Sequence, residues 1–80
     1  MEIGKFYIAN EEFPIMIANT NNLYYVKHGS VILCIKTNHE LNINWKEYVF
    51  LWDSLILRTV IRIPIENSPY WRNKLKLWEP

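Results

Sequence analysis

The sequence predicts a mainly β protein. The expected architecture is a small barrel or β-roll of five to six short antiparallel strands with a short C-terminal helix. Three observations lead there. From Leu57 to Glu66 apolar and polar residues alternate, with Leu57, Thr59, Ile61, Ile63 and Ile65 on one side and Arg58, Val60, Arg62, Pro64 and Glu66 on the other. Period two sustained over that length marks a half-buried strand. Turn-forming residues recur every six to ten positions along the chain. The segments between them are rich in β-branched and aromatic residues, which suit a pleated surface.

The elements follow in order. Glu2 to Ala9 reads as a first strand, with Ile3, Lys5 and Tyr7 opposite Gly4, Phe6 and Ile8. Asn10-Glu11-Glu12 is a polar turn. Phe13 to Ala18 is a second strand, entered through Pro14. Asn19 to Asn22 is the clearest turn, because asparagine tolerates positive φ and bonds its own backbone. Leu23 to Lys27 and Ser30 to Thr37 flank His28-Gly29, and YYVK-HG-SVILCIK reads as a tight hairpin. Val31, Leu33 and Ile35 share one face of the latter strand. Asn38 to Asn44 reads as a polar loop.

Trp45 to Ile65 is the longest apolar stretch, and two templates compete for it. As strands, Glu47 to Trp52 and Leu57 to Glu66 flank a turn at Asp53-Ser54, with Pro64 confined to a strand end or an edge. The alternative is an α+β fold with a helix at about 45–57 and a strand to Ile65. Positions 45, 48, 49, 52, 55, 56, 59, 60 and 63 then share a largely apolar face. Asn44 and Glu47 would form a capping box, and Ile43 with Tyr48 a hydrophobic staple. That helix would leave Phe50, Leu57 and Ile61 on its opposite face. After Ile65, Asn67-Ser68-Pro69 offers a helix start. Trp71, Leu75 and Trp78 then fall on one face of a helix from Pro69 to Trp78.

Eighty residues form a single domain, 1–80, and half of them are apolar. A chain this short buries only about 60% of the surface its unfolded form exposes. Some apolar side chains must therefore reach the surface, where a contiguous group marks a partner site or a dimer interface. Phe50, Val60, Tyr70 and Trp71 are the candidates. A single cysteine, Cys34, rules out an internal disulfide and fits a reducing compartment. The N-terminus lacks the features of a signal peptide, and no apolar run is long enough for a membrane-spanning helix. A cytoplasmic protein without membrane contact is expected. A net charge of +1 argues against strong non-specific polyanion binding. The wealth of Ile, Asn and Lys suggests an AT-rich source such as a phage or a low-GC bacterium.

The opening IGKFYI, the GSVILCI strand after a tight turn and the WKEYVFLWD strand together resemble small SH3-like barrels, including short phage proteins. The likeness spans residues 3 to 65 and departs in the apolar length of 55–65 and in the C-terminal helix. It implies a non-enzymatic binding module and names no partner.

The residues themselves give no catalytic constellation, metal site or cofactor motif. His28, Cys34 and His39 match no zinc spacing and lack a fourth ligand. Cys34 sits in an apolar strand, where a thiol is an inert small group. Glu11 and Glu12 are chain neighbours and point apart. Between Arg58 and Trp78, however, Arg58, Arg62, Arg72, Lys74 and Lys76 face Glu66 alone. Aromatics lie among them, so a partner-binding face of Arg58, Arg62, Tyr70, Trp71, Arg72 and Lys74 is expected. Arginine and aromatic anchors dominate protein interfaces, which favours a protein partner, with a phage-encoded adaptor or host-factor inhibitor as the setting. The same groups could cradle phosphates and stack bases, so nucleic acid is the alternative partner. A homodimer is a further expectation.

Overall fold

In a computed structural model, which describes residues 1–42, 44–62 and 69–79, seven strands form one curled, half-barrel sheet. The strands are β1 (Phe6–Ala9), β2 (Phe13–Ile17), β3 (Leu23–Val26), β4 (Val31–Asn42), β5 (Trp45–Trp52), β6 (Leu55–Arg62) and β7 (Leu75–Leu77). A short helix, α1 (Pro69–Lys74), precedes β7. The order across the sheet is β3-β2-β6-β5-β4-β1-β7, and every neighbouring pair is antiparallel.

The β5–β6 hairpin lies at the middle. Trp52 pairs with Leu55 across a two-residue loop, and Asp53 takes the left-handed φ of 55° that such a loop demands. The helix considered for about 45–57 does not form. The three side chains it would have exposed, Phe50, Leu57 and Ile61, are fully buried. Burial of three large apolar groups, each worth about 1.5–3 kcal/mol, outweighs a good cap and an apolar helical face. Phe50 pairs with Leu57 on one flank and Cys34 on the other, and its ring meets the rings of Tyr7 and Tyr48 at 6.5 Å each. Phe50 is thus a core residue and no part of an exposed patch.

The core fills the concave side of the sheet. Tyr7, Ala9, Phe13, Ile15, Val26, Ile32, Cys34, Tyr48, Phe50, Leu57, Ile61 and Leu75 form one buried cluster. The alternation expected from Leu57 onward holds through Ile61; residues 63–66, including Pro64, lie outside the described residues. In β4 the core faces are Ile32 and Cys34, so Val31 and Leu33 point outward. Ile35 and Lys36 together oppose Val49, a bulge that adds one residue and returns Thr37 to the inner side opposite Tyr48.

Several sequence expectations are revised. The tight hairpin at His28-Gly29 is absent: β3 pairs with β2, while β4 pairs with β1 and β5. The turn itself is present, with Gly29 at φ 88° and Ser30 N–H donating to Lys27 C=O at 3.0 Å. It is a crossover between the two ends of the curled sheet. Gly29 N–H donates to Ala9 C=O, and Ala9 N–H donates to Ser30 C=O, both at 2.9 Å. The turn is therefore stitched to β1. Asn38 to Asn42 continues β4 instead of looping, because β5 supplies a partner. The first strand starts at Phe6, after a turn in which Gly4 takes φ 85°.

The C-terminal segment is not a helix to Trp78. One turn and a half of helix ends at Lys74, and the chain then adds β7 to the edge of β1. Leu75 is buried opposite Ala9, whereas Trp78 reaches the outer face beside Phe6. Free main-chain groups on β1 explain the switch: Trp78 N–H donates to Phe6 C=O and Asn10 N–H to Lys74 C=O. Seven strands, one of them twelve residues long, replace the expected five to six short ones.

The β2–β6 ladder is brief, and proline sets its length. Ala18 N–H donates to Ile56 C=O, and Met16 lies opposite Arg58. Pro14 occupies the next donor position and has no N–H to give.

Three substitutions at two positions check this account by urea unfolding. Phe50→Ala should cost about 3–5 kcal/mol. Asp53→Val should cost about 1–2 kcal/mol, since a β-branched residue resists positive φ, while Asp53→Gly should leave stability within about 0.5 kcal/mol.

Candidate functional site

Of the expected basic and aromatic face, the side chains of Arg58, Tyr70, Trp71 and Lys74 are described, and each is engaged differently. Arg58 stands on the outer side of β6 and forms an ion pair with Glu47, its diagonal neighbour on β5. Lys74 at the end of α1 forms an ion pair with Glu11, and its Nζ lies 4.4 Å from the centre of the Tyr70 ring. Trp71 turns inward and meets Phe13 edge to face at 5.4 Å. Its ring packs against the core and is only partly exposed. Tyr70 remains exposed beside it. The side chains of Arg62 and Arg72 lie outside the described residues. Both carboxylate partners lie outside residues 58–78, Glu47 on the neighbouring strand of the hairpin and Glu11 far along the chain, so a local count of charge missed them.

A different surface emerges from the register. Phe6 lies opposite Leu33, Leu33 opposite Leu51, and Leu51 opposite Ile56. These four side chains form one row across β1, β4, β5 and β6 on the convex face. Trp78 extends it, its ring 6.0 Å from that of Phe6 at 77°. Phe6, Leu51, Ile56 and Trp78 keep 43%, 36%, 40% and 38% of their surface in water, and Leu33 is half-buried. Single exposed apolar residues are ordinary, but an aligned row of five is not. The Glu47–Arg58 pair lies on the same face and gives the row a polar border.

Alternation hinted at this row. In β4 the sequence VILCIK is apolar on both faces, a sign that the outer face is not simply solvated. Which outer residues fall in line depends on strand register, and the pairing of β4 with β1 rather than β3 was hidden in the sequence.

The buried titratable groups on the concave side are Tyr7, Cys34 and Tyr48. Burial raises the pKa of all three; for Tyr7 a hydrogen bond from Glu2 N–H to its hydroxyl at 2.7 Å works in the opposite direction. A thiol held protonated among apolar side chains is a poor nucleophile. Among the described residues no group of three His, Cys, Asp or Glu side chains could hold a metal ion. A shallow, open depression lies beside Met16, Asn19, Thr20, Asn21 and Arg58. It is open to solvent, and the hydroxyl on it, Thr20 Oγ1, donates to Ile17 C=O at 2.8 Å. No described helix is long and apolar enough to cross a membrane. No family model, curated protein or solved structure matches the chain.

The raised pKa values fix a direction with pH. The unfolded chain releases these protons first, so the associated stability is complete below the unfolded values, about 8.5 for a thiol and 10 for a phenol. It is lost as pH rises through the higher folded values. Stability should therefore fall from about pH 9 upward. Cys34 should react with a thiol reagent at pH 8 at least about 100-fold more slowly than in urea-unfolded protein. Equal rates would contradict the buried thiol.

Proposed function

We propose that this chain is a small non-enzymatic binding module that recognises another protein through the convex face of its sheet. The observation that carries this reading is the row of Phe6, Leu33, Leu51, Ile56 and Trp78. Two aromatic and three aliphatic groups in line, bordered by an ion pair, supply the apolar centre and polar rim that protein interfaces share. The partner surface would be apolar and shallowly concave. The resemblance to SH3-like modules adds analogy of layout only. The Ile-, Asn- and Lys-rich composition fits an AT-rich source such as a phage or a low-GC bacterium, and the apolar excess and small size fit a phage-encoded adaptor or host-factor inhibitor.

Nucleic acid is the weaker alternative. Among the described side chains of that face, Arg58 and Lys74 are both matched by carboxylates, and Trp71 packs against the core. Counterion release requires cations free to meet phosphates.

Affinity capture from native-host extract tests the proposal. A stoichiometric protein should bind the wild-type chain and be lost with Leu51→Lys or Ile56→Lys, while the unfolding midpoint shifts little. Capture that survives both substitutions overturns the assignment of the face. Oligonucleotide binding that falls steeply with salt, without a protein partner, would replace the reading.

A further inference from the structure

Among the described residues, the two end strands of the sheet each leave one side unpaired. The two edges differ. β7 has three residues with Lys76 at its centre, the kind of charge that blunts an edge. β3, reading LYYV, carries no charge, proline or bulge. The phase of its hydrogen bonds follows from Ile17 N–H, which donates to Asn22 C=O at 2.9 Å. Alternate residues therefore face β2: Asn22, Tyr24 and Val26. Leu23 and Tyr25 direct their N–H and C=O groups to the open side. Pro14, opposite Tyr25, agrees with this phase, because no N–H is required of it there. The side chains of Leu23 and Tyr25 are 53% and 54% exposed on the convex face. Tyr24 is anchored instead, its hydroxyl accepting from Trp52 Nε1–H at 2.8 Å.

We propose that β3 is a self-pairing edge, which joins antiparallel to β3 of a second copy about a two-fold axis at Tyr24. Leu23 of each copy then lies opposite Tyr25 of the other. The two outward donors and two outward acceptors on each strand are satisfied in four main-chain hydrogen bonds. Exposed leucine covers exposed tyrosine twice. A two-fold operation closes the contact, so the pairing ends at a dimer.

Charge supports this occupant over a β7 edge. Lys27, the nearest cation, falls beyond the paired residues and is carried away from Lys27 of the other copy. Pairing β3 with β7 of another molecule would bring Lys76 against the leucine and tyrosine, and it would not close. The interface is small, so association should be weak and concentration-dependent. The convex rows of both copies remain outside the contact. Dimerisation and recognition through the row can therefore fail independently.

Sedimentation equilibrium tests the proposal between about 10 µM and 1 mM. The mass should rise from 9.7 kDa towards twice that value. The variants Leu23→Lys/Tyr25→Lys and Leu23→Glu/Tyr25→Glu should each stay monomeric, and an equimolar mixture should regain the dimer. Leu51→Lys should still dimerise. Amide exchange in the wild type gives a second readout that needs no variant. Among the described residues nothing accepts from the Leu23 and Tyr25 N–H groups, so their exchange should slow at least tenfold on concentration. A monomer at 1 mM, a dimer untouched by the double substitutions, or exchange that is fast at every concentration would each overturn it.

Discussion

The packing of Phe50 against its neighbours on both flanks is the constraint from which this structure follows. It lies on the central strand, faces Cys34 and Leu57 across the ladders, and meets the rings of Tyr7 and Tyr48. A single sheet can enclose such a side chain only by curling, since no second layer of comparable size is present among the described residues. The curl brings the ends of the order together, so that the turn at Gly29 bonds to Ala9 and α1 places Trp71 on Phe13. The crossovers from β1 to β2 and from β3 to β4 are consequences of the same geometry.

A one-sided core has a cost on the other face. With half of the residues apolar and one concave side to fill, apolar groups are left over. They appear on the convex face in rows, because residues paired across strands point to the same face. The surplus is therefore not scattered. Outer residues of β1, β4, β5 and β6 fall into one line, and the edge of β3 carries another pair. The fold turns an excess in composition into an ordered surface, and the proposed recognition role rests on that order.

Much of the strand content was legible from period and turn chemistry. The alternation after Leu57, the Asp53-Ser54 loop and the asparagine turn at 19 are local features, and local sequence specifies them. Burial of Phe50, Leu57 and Ile61 decided the helix question, and the sequence already showed that a helix would leave those three outside. What local sequence could not show was which strand pairs with which. The YYVK-HG-SVILCIK pattern contains good hairpin chemistry, yet its two strands find other partners, because β1 offers β4 a ladder and the curl offers β3 the edge of β2. The same non-local choice converted Leu75 to Leu77 from an expected helix into a strand.

The candidate site was less legible for the same reason. Counting cations along residues 58–78 singled out Arg58 and Lys74, but Glu47 on the adjacent hairpin strand and Glu11 from across the fold pair with them. Trp71 had the composition of an anchor and the position of a core residue. The central claim is that residues 45–62 form a hairpin whose inner face holds the core. Nuclear Overhauser contacts between the Hα atoms of Leu51 and Ile56 test it most directly. These residues lie opposite each other, and Ile56 turns its main-chain carbonyl to Ala18, so they form the close, non-hydrogen-bonded type of pair, with Cα atoms about 4.5 Å apart. A strong Hα–Hα contact is the predicted result; a ladder of i to i+3 contacts running through residues 45–57 would contradict it.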